Sequence, residues 1–174
     1  MVFQIKRFSF EDCYLPINQF LTIDEDTDQI ITASPDAIPY PVTDGNILDA
    51  VIRYYLTHHR VKQTRVVAKD LKVSSRDLSS TVHLLTGMHH DDFMRKYRLS
   101  AMIELLTLTT LSTTLIAKFF GYTSLHVLNQ FLVDQTELTA NEIRVGLVPK
   151  DKQKRGSWYH AADLDMQRVA SRNL

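Results

Sequence analysis

The sequence predicts an all-α protein in which two helix-turn-helix units are joined by a long helix and preceded by a short extended or β arm. Three observations support this prediction. Apolar residues recur at helical spacing after residue 46, capping residues stand where each helix would begin and end, and a pair of short helices occurs twice. We expect an acidic arm of unknown role at residues 1–45, the double unit at 46–145, and a basic, partly mobile tail at 146–174.

The composition is that of an ordinary globular chain: 174 residues, 44% hydrophobic and 23% charged, with zero formal net charge. It excludes collagen-like and wholly disordered proteins. No apolar run approaches the roughly 18 to 20 residues of a membrane-spanning helix, and the first 15 residues contain acids where a secretion signal needs an apolar core. We therefore expect a cytoplasmic protein with no membrane contact.

Charge is unevenly distributed along the chain. Residues 1–45 hold two basic and eight acidic side chains, whereas 46–145 hold twelve basic and nine acidic ones, and 146–174 hold six basic and three acidic ones. An acidic arm followed by a mildly basic double unit and tail is compatible with a nucleic-acid partner, although most surfaces of this kind are simply solvated.

The arm has two parts with different residue patterns. Phe3, Ile5, Phe8 and Phe10 alternate in part as in a short strand, and the prolines between residues 35 and 41 cannot be helical. We expect short strands or an extended segment here.

The first unit begins with an amphipathic helix from about Asn46 to His59, capped by Asp44 or Asn46. A short helix follows around residues 64–71. The spacing of Ser74 and Asp77 predicts a capping box that opens the next helix, which ends at Gly87.

A longer helix is predicted from Asp91 and Asp92, whose carboxylates suit a helix N-terminus, to Leu106 or Leu108. The short-helix pair then recurs, ending its first member at Gly121 and capping its second at Ser124. Ala68 and Ala117, 49 residues apart, are the matching small residues of the two pairs, and a last capping box joins Thr139 to Glu142.

These residues resemble the AraC-type family of bacterial transcription regulators, whose DNA-binding domain has two homeodomain-like helix-turn-helix units joined by a linker helix. The resemblance covers about residues 46–145. It is carried by a set of matching positions in the two units: Gly87, Phe93, Arg98, Ile116, Ala117, Gly121, Tyr122, Ser124, Thr139 and Arg144. It implies a sequence-specific regulator that binds double-stranded DNA through both units, in successive major grooves on one face of the duplex.

The chain departs from the family pattern at positions that matter for DNA affinity. Arg and Lys of the family are replaced by Ser80 and His83 in the first unit and by Gln130 and Val133 in the second. Glu137 stands for a Gly and Ala140 for a Pro. No basic residue lies between Lys118 and Arg144, so binding is expected to be weakly anchored on phosphates.

Candidate contacts fall into two groups. Arg76 suits a guanine edge, Asn129 and Gln130 suit adenine, and the other base-reading candidates lie beside them; the full set is Arg76, Ser79, Ser80, His83, Leu125, His126, Asn129 and Gln130. Phosphate contacts are predicted at helix N-termini and scattered cations: Thr64, Arg65, Ser74, Arg95, Lys96, Ser112 and Ser124. Each is also an ordinary surface residue type.

Two alternatives to DNA binding remain at this point. A degenerate relative could have kept the fold, lost strong DNA binding, and act by binding another regulator or RNA polymerase. An enzyme is disfavoured, since no phosphate loop, zinc signature or nucleophile elbow occurs and Cys13 lies in an acidic stretch. The paired histidines lack partners at ligand spacing, so we expect neither metal nor cofactor. We also hypothesise that the acidic arm, residues 1–45, lies over the basic face of the double unit and inhibits it.

Overall fold

The computed structural model describes residues 6–24, 29–32, 38, 43, 47–60 and 62–146. In this part of the chain the fold is all-α apart from one small hairpin, as predicted. The elements are α1 (Phe10–Cys13), a 3-10 turn (Ile17–Phe20), β1 (Leu21–Asp24), β2 (Gln29–Thr32), α2 (Ile47–Thr57), α3 (Thr64–Asp70), α4 (Ser75–Thr86), α5 (His90–Leu108), α6 (Thr113–Phe119), α7 (Leu125–Thr136) and α8 (Ala140–Arg144). Among the described helices none has the length and apolar character needed to cross a membrane.

The chain forms two compact units, Met1–Tyr97 and Arg98–Leu174, with the boundary inside α5. In the first unit α4 packs against α2 and α3, and in the second α7 packs against α6 and α8. The expected tail at 146–174 lies outside the described residues except for Gly146.

The arm is part of the first unit's core. Phe8 and Phe10 are buried together with residues of α2, α4 and α5. The Phe10 ring lies 5.7 Å from that of Phe93 and 6.3 Å from that of Tyr97, both edge-on. The backbone amide of Phe8 also donates to the carbonyl of Leu85 at 2.8 Å. Residues 6–20 therefore belong structurally to the helices that follow.

The prediction of short strands or an extended segment was wrong for Phe10, which begins helix α1. The reason is local: Ser9 accepts a hydrogen bond from the Asp12 amide at 3.1 Å, and the Asp12 carboxylate accepts the Ser9 amide at 2.8 Å. This capping box nucleates a turn of helix that alternation does not reveal. The β part of the arm lies further on, where Leu21–Asp24 pairs antiparallel with Gln29–Thr32. Residues 3 and 5 and the three prolines lie outside the described part.

The first helix of the double unit, α2, ends two residues before the predicted His59. Its predicted caps, Asp44 and Asn46, lie outside the described residues. Instead, Asp49 within the helix is fully buried and its carboxylate accepts the amide of Thr43.

The internal repeat is confirmed with closely matched geometry. α3 and α6 each have seven residues, and α4 and α7 each have twelve. In both turns an amide bonds back to the alanine carbonyl: Val73 to Ala68 and Tyr122 to Ala117, each at 2.9 Å. Lys72 and Gly121 take the positive φ that this turn needs, at 58° and 81°.

The longer helix of each pair, α4 or α7, ends at a residue in the left-handed conformation: Gly87 with φ 74° and Glu137 with φ 65°. The hydroxyls of Thr86 and Thr136 donate back into the last turn, at 2.7 and 2.8 Å. The ends of α4 and α7 thus match, although only the first has the residue suited to its backbone.

Glu137→Gly should stabilise the chain, and Gly87→Ala should destabilise it, each by about 1 kcal/mol, because a side chain at positive φ crowds the backbone. A Cβ at Gly87 would meet nothing within 4 Å, so the cost there is conformational. Thermal unfolding of the two variants checks the prediction. Shifts of the same sign in both would contradict it.

Phe10→Ala should lower the free energy of unfolding of the first unit by about 3–5 kcal/mol, because the ring is 6% exposed and lies among other aromatic rings. Urea titration measures the loss, and Gln19→Ala, at an exposed position of the same segment, is the control. A loss below 1 kcal/mol would mean that the arm is not part of the core.

Candidate nucleic-acid interface

The surface of α4 carries the first group of predicted base contacts. Arg76, Ser80 and His83 are exposed and Ser79 is half-buried, because Leu78 and Val82 turn the opposite side of the helix into the core. Positions 76, 80 and 83 follow i, i+4 and i+7 spacing, so they share one face. The His83 ring stacks on that of His89, with ring centroids 5.0 Å apart. The structure therefore brings the predicted residues of the first unit together.

The surface of α7 carries the second group. His126 and Gln130 are exposed and Leu125 is half-buried. Val127 and Val133 share this surface and are 38% and 40% exposed. Val127 was missed by the sequence analysis, although the spacing of the repeat could have found it: it is the counterpart of Asp77, three residues after the helix cap in each unit.

Asn129 has a partner that the sequence analysis did not foresee. Its side-chain oxygen accepts the amide of Ala140, the first residue of α8, at 2.9 Å. The residue is half-buried and connects α7 to the start of α8. A contact from Asn129 to adenine remains a prediction, but the oxygen that would accept from the base already has this protein donor.

Three predicted phosphate sites are N-cap residues. The hydroxyls of Ser74, Ser112 and Ser124 accept the amides of Asp77, Leu115 and Val127, at 3.0, 3.1 and 3.3 Å. Ser74 thus caps α4 through its own hydroxyl as predicted. Each hydroxyl accepts a hydrogen bond from one backbone amide that could otherwise donate to a phosphate.

Thr64 is the first residue of α3, and the cap position before it is Gln63. Its hydroxyl donates to Asp91 at 2.6 Å and lies 3.0 Å from Nδ1 of His90. The other ring nitrogen of His90 lies 2.7 Å from the Tyr55 hydroxyl. All of these hydrogen bonds can form when the His90 ring is neutral with its proton on Nδ1, because Thr64 then accepts from His90 while it donates to Asp91. The Thr64 side chain is therefore engaged within the first unit.

The predicted cations differ in their surroundings. Arg65 is exposed on α3, and Arg95 is exposed with its guanidinium 3.3 Å from Asp92. Lys96 is half-buried: its Nζ lies 3.4 Å from the Glu11 carboxylate and 4.3 Å above the Phe10 ring. An acidic residue of the arm thus lies against one predicted phosphate contact, and the hypothesis that the arm covers the basic face stays a prediction.

Arg98 and Arg144, two positions of the family resemblance, point into the second unit. Arg98 is 8% exposed and donates to the Phe120 carbonyl at 3.1 Å, and Arg144 donates to the Leu111 carbonyl. Burial lowers the pKa of Arg98, which also lies over the Tyr122 ring. These guanidiniums satisfy backbone carbonyls at the end of α6 and just before it.

Two features of the described residues bear on thiol chemistry and on metal binding. Cys13 is fully buried, and burial raises the pKa of its thiol to about 12, which suppresses the reactive thiolate. Within the same part of the chain, no three His, Cys, Asp or Glu side chains are grouped as metal ligands.

Comparisons with known proteins give limited results. No protein-family model matches the chain, and no curated protein matches it. Among solved structures, the C-terminal domain of AraT, a response regulator from Geobacillus stearothermophilus, is similar over 55% of this chain and 79% of that chain. The identity is 23% and the TM-score 0.46. A likeness of this extent does not assign the chain to a family.

The first unit should lose stability as pH falls below about 6.5, the ordinary pKa of histidine, because burial lowers the pKa of His90 in the folded state. The stabilisation is complete above that pH, where His90 is neutral in both states. Melting temperatures at pH 7.5 and 5.5 measure the effect.

His90→Gln should reduce this pH dependence even if it lowers stability at both pH values. His126→Gln, at an exposed position, is the matched control and should leave the dependence unchanged. An equal pH dependence in wild type and His90→Gln would show that another group is responsible.

Proposed function

We propose that this chain is a sequence-specific DNA-binding transcription regulator of the AraC type, with no enzymatic activity. The observation that carries the proposal is the repeated helix pair, in which α4 and α7 have the same length, a serine N-cap and a C-cap residue in the left-handed conformation. Helix α4 buries Leu78 and Val82, and α7 buries Leu128 and Leu132. The opposite face of each helix is exposed. This is the arrangement by which a helix-turn-helix presents its second helix to a major groove.

The chemistry of the α4 face supports the DNA assignment. Arg76 is exposed on the first turn of the helix, where a guanidinium can reach the O6 and N7 acceptors of guanine. Arg65, Lys69 and Lys72 are exposed on α3 and on the turn before α4, and their positive charges suit flanking phosphates. The first unit thus combines a base-reading side chain with nearby cations.

A second candidate function is protein binding, with another regulator or RNA polymerase as partner. It is favoured by the second unit, in which residues 98–146 contain only three Arg or Lys side chains, and two of these, Arg98 and Arg144, donate to backbone carbonyls. Val127 and Val133 on α7 would suit a protein surface. The two candidates differ in whether the native chain binds DNA.

Selection of bound duplexes from a randomised pool, followed by anisotropy titration at low and near-physiological salt, tests the proposed function. We expect a defined motif whose affinity falls as salt rises. Arg76→Ala should relax preference at one base pair and cost about 1–3 kcal/mol there. Arg60→Ala, at an exposed position outside α4, should at most weaken all sequences equally.

Failure to bind any duplex at low salt would contradict the DNA-binding proposal and favour protein binding. In that case the double variant Ser80→Arg, Gln130→Arg should create DNA binding, since both positions are exposed and the substitutions return cations to the two helices. No gain in affinity would then count against the interpretation that the chain is a relative that kept the fold and lost its basic side chains.

A further inference from the structure

The two units present different amounts of positive charge at corresponding positions. The matched geometry pairs residues 49 apart before the turn and 50 apart after it. At four such positions the first unit has an exposed cation, whereas the second unit has only one: Arg65, Lys69, Lys72 and Arg76 correspond to Thr114, Lys118, Gly121 and His126. At these positions the pair α3–α4 therefore offers more cations to phosphates than the pair α6–α7 does.

The exposed faces of α4 and α7 also differ in chemistry. Asp77 and His83 on α4 correspond to Val127 and Val133 on α7, and Ser80 corresponds to Gln130. The two valines are 38% and 40% exposed. A face with branched apolar side chains beside a glutamine matches the major-groove edge of A·T pairs, which offers a thymine methyl and the N6 and N7 groups of adenine.

We propose that the units divide the work of recognition: the first anchors the protein on phosphates and reads guanine, and the second reads an A·T-rich half-site through valine–methyl contacts and Gln130. This inference rests on the proposed DNA-binding function. The second unit does not need strong phosphate attraction of its own, because α5 tethers it to the first and raises its effective concentration at the adjoining DNA.

The sharpest test replaces thymine by deoxyuridine, which removes only the C5 methyl group, in the selected duplex. The half-site of α7 is identified as the one whose base preference changes in Gln130→Ala. Each contacted thymine replaced there should weaken wild-type binding about fourfold, the effect of one buried methyl group. The same replacement in the half-site of α4 should have no effect.

The protein side of this contact is tested by Val127→Ala and Val133→Ala. Both positions are exposed, so the fold should be retained, and the double variant should bind thymine and deoxyuridine duplexes equally. Leu84→Ala, which removes an exposed apolar side chain from α4, is the matched control and should keep the wild-type discrimination.

Salt dependence tests the division of charge. The triple variant Arg65→Gln, Lys69→Gln, Lys72→Gln removes three exposed cations of the first unit, whereas Lys118→Gln removes the one exposed cation at the corresponding positions of the second. The first should reduce the slope of log affinity against log salt by about 2.7, and the second by at most about 0.9. Equal reductions would overturn the inference.

The remaining outcomes separate the two proposals. If wild type binds no duplex at low salt, the proposed function itself fails, and this inference with it. If DNA binds but neither deoxyuridine nor the Val and Gln130 variants alter affinity, DNA binding stands and the inference is overturned. The α7 face would then be open to a protein partner.

Discussion

The arrangement of each helix pair depends on the capping of its longer helix, α4 or α7, at both ends. A serine hydroxyl caps the start of α4 and α7, and a left-handed residue ends each helix after twelve residues. Length and rotation are thereby defined, so two apolar residues four apart face the core and the opposite side faces solvent. The turn before each helix, closed by a hydrogen bond to an alanine carbonyl, brings its partner helix close. All candidate base contacts derive their positions from these caps.

The same frame supports two unlike surfaces. On α4 the exposed side includes Arg76 and lies near the cations of α3, whereas on α7 it includes Val127 and Val133 and no Arg or Lys. Because the caps and the inward-facing residues carry the fold, the outward residues are free to differ without cost to packing. Two arginines of the second unit, Arg98 and Arg144, instead donate hydrogen bonds to backbone carbonyls of the same unit. The fold is repeated, while the chemistry of recognition is not.

The arm changes the description of the first unit. Phe8 and Phe10 lie in the same core as residues of α2, α4 and α5, so the segment before the repeat contributes to the stability of the helix pair. The ion pair between Glu11 and Lys96 places an acid of the arm against a cation of α5. Stability and surface charge of the first unit are therefore coupled through one short segment.

The sequence by itself determined helices α2 to α8, the caps at Ser74, Gly87, Ser124 and Thr139, and the repeat, because these depend on interactions among residues within about four positions. It also placed Arg76, Ser80, His126 and Gln130 on exposed faces, since helical periodicity decides this once the caps are known. Contacts between distant residues were decided only by the tertiary structure. They include the docking of the arm, the pairing of Lys96 with Glu11 and the bond from Asn129 to Ala140. Such pairs depend on how the elements pack, and no local pattern in a single sequence records that.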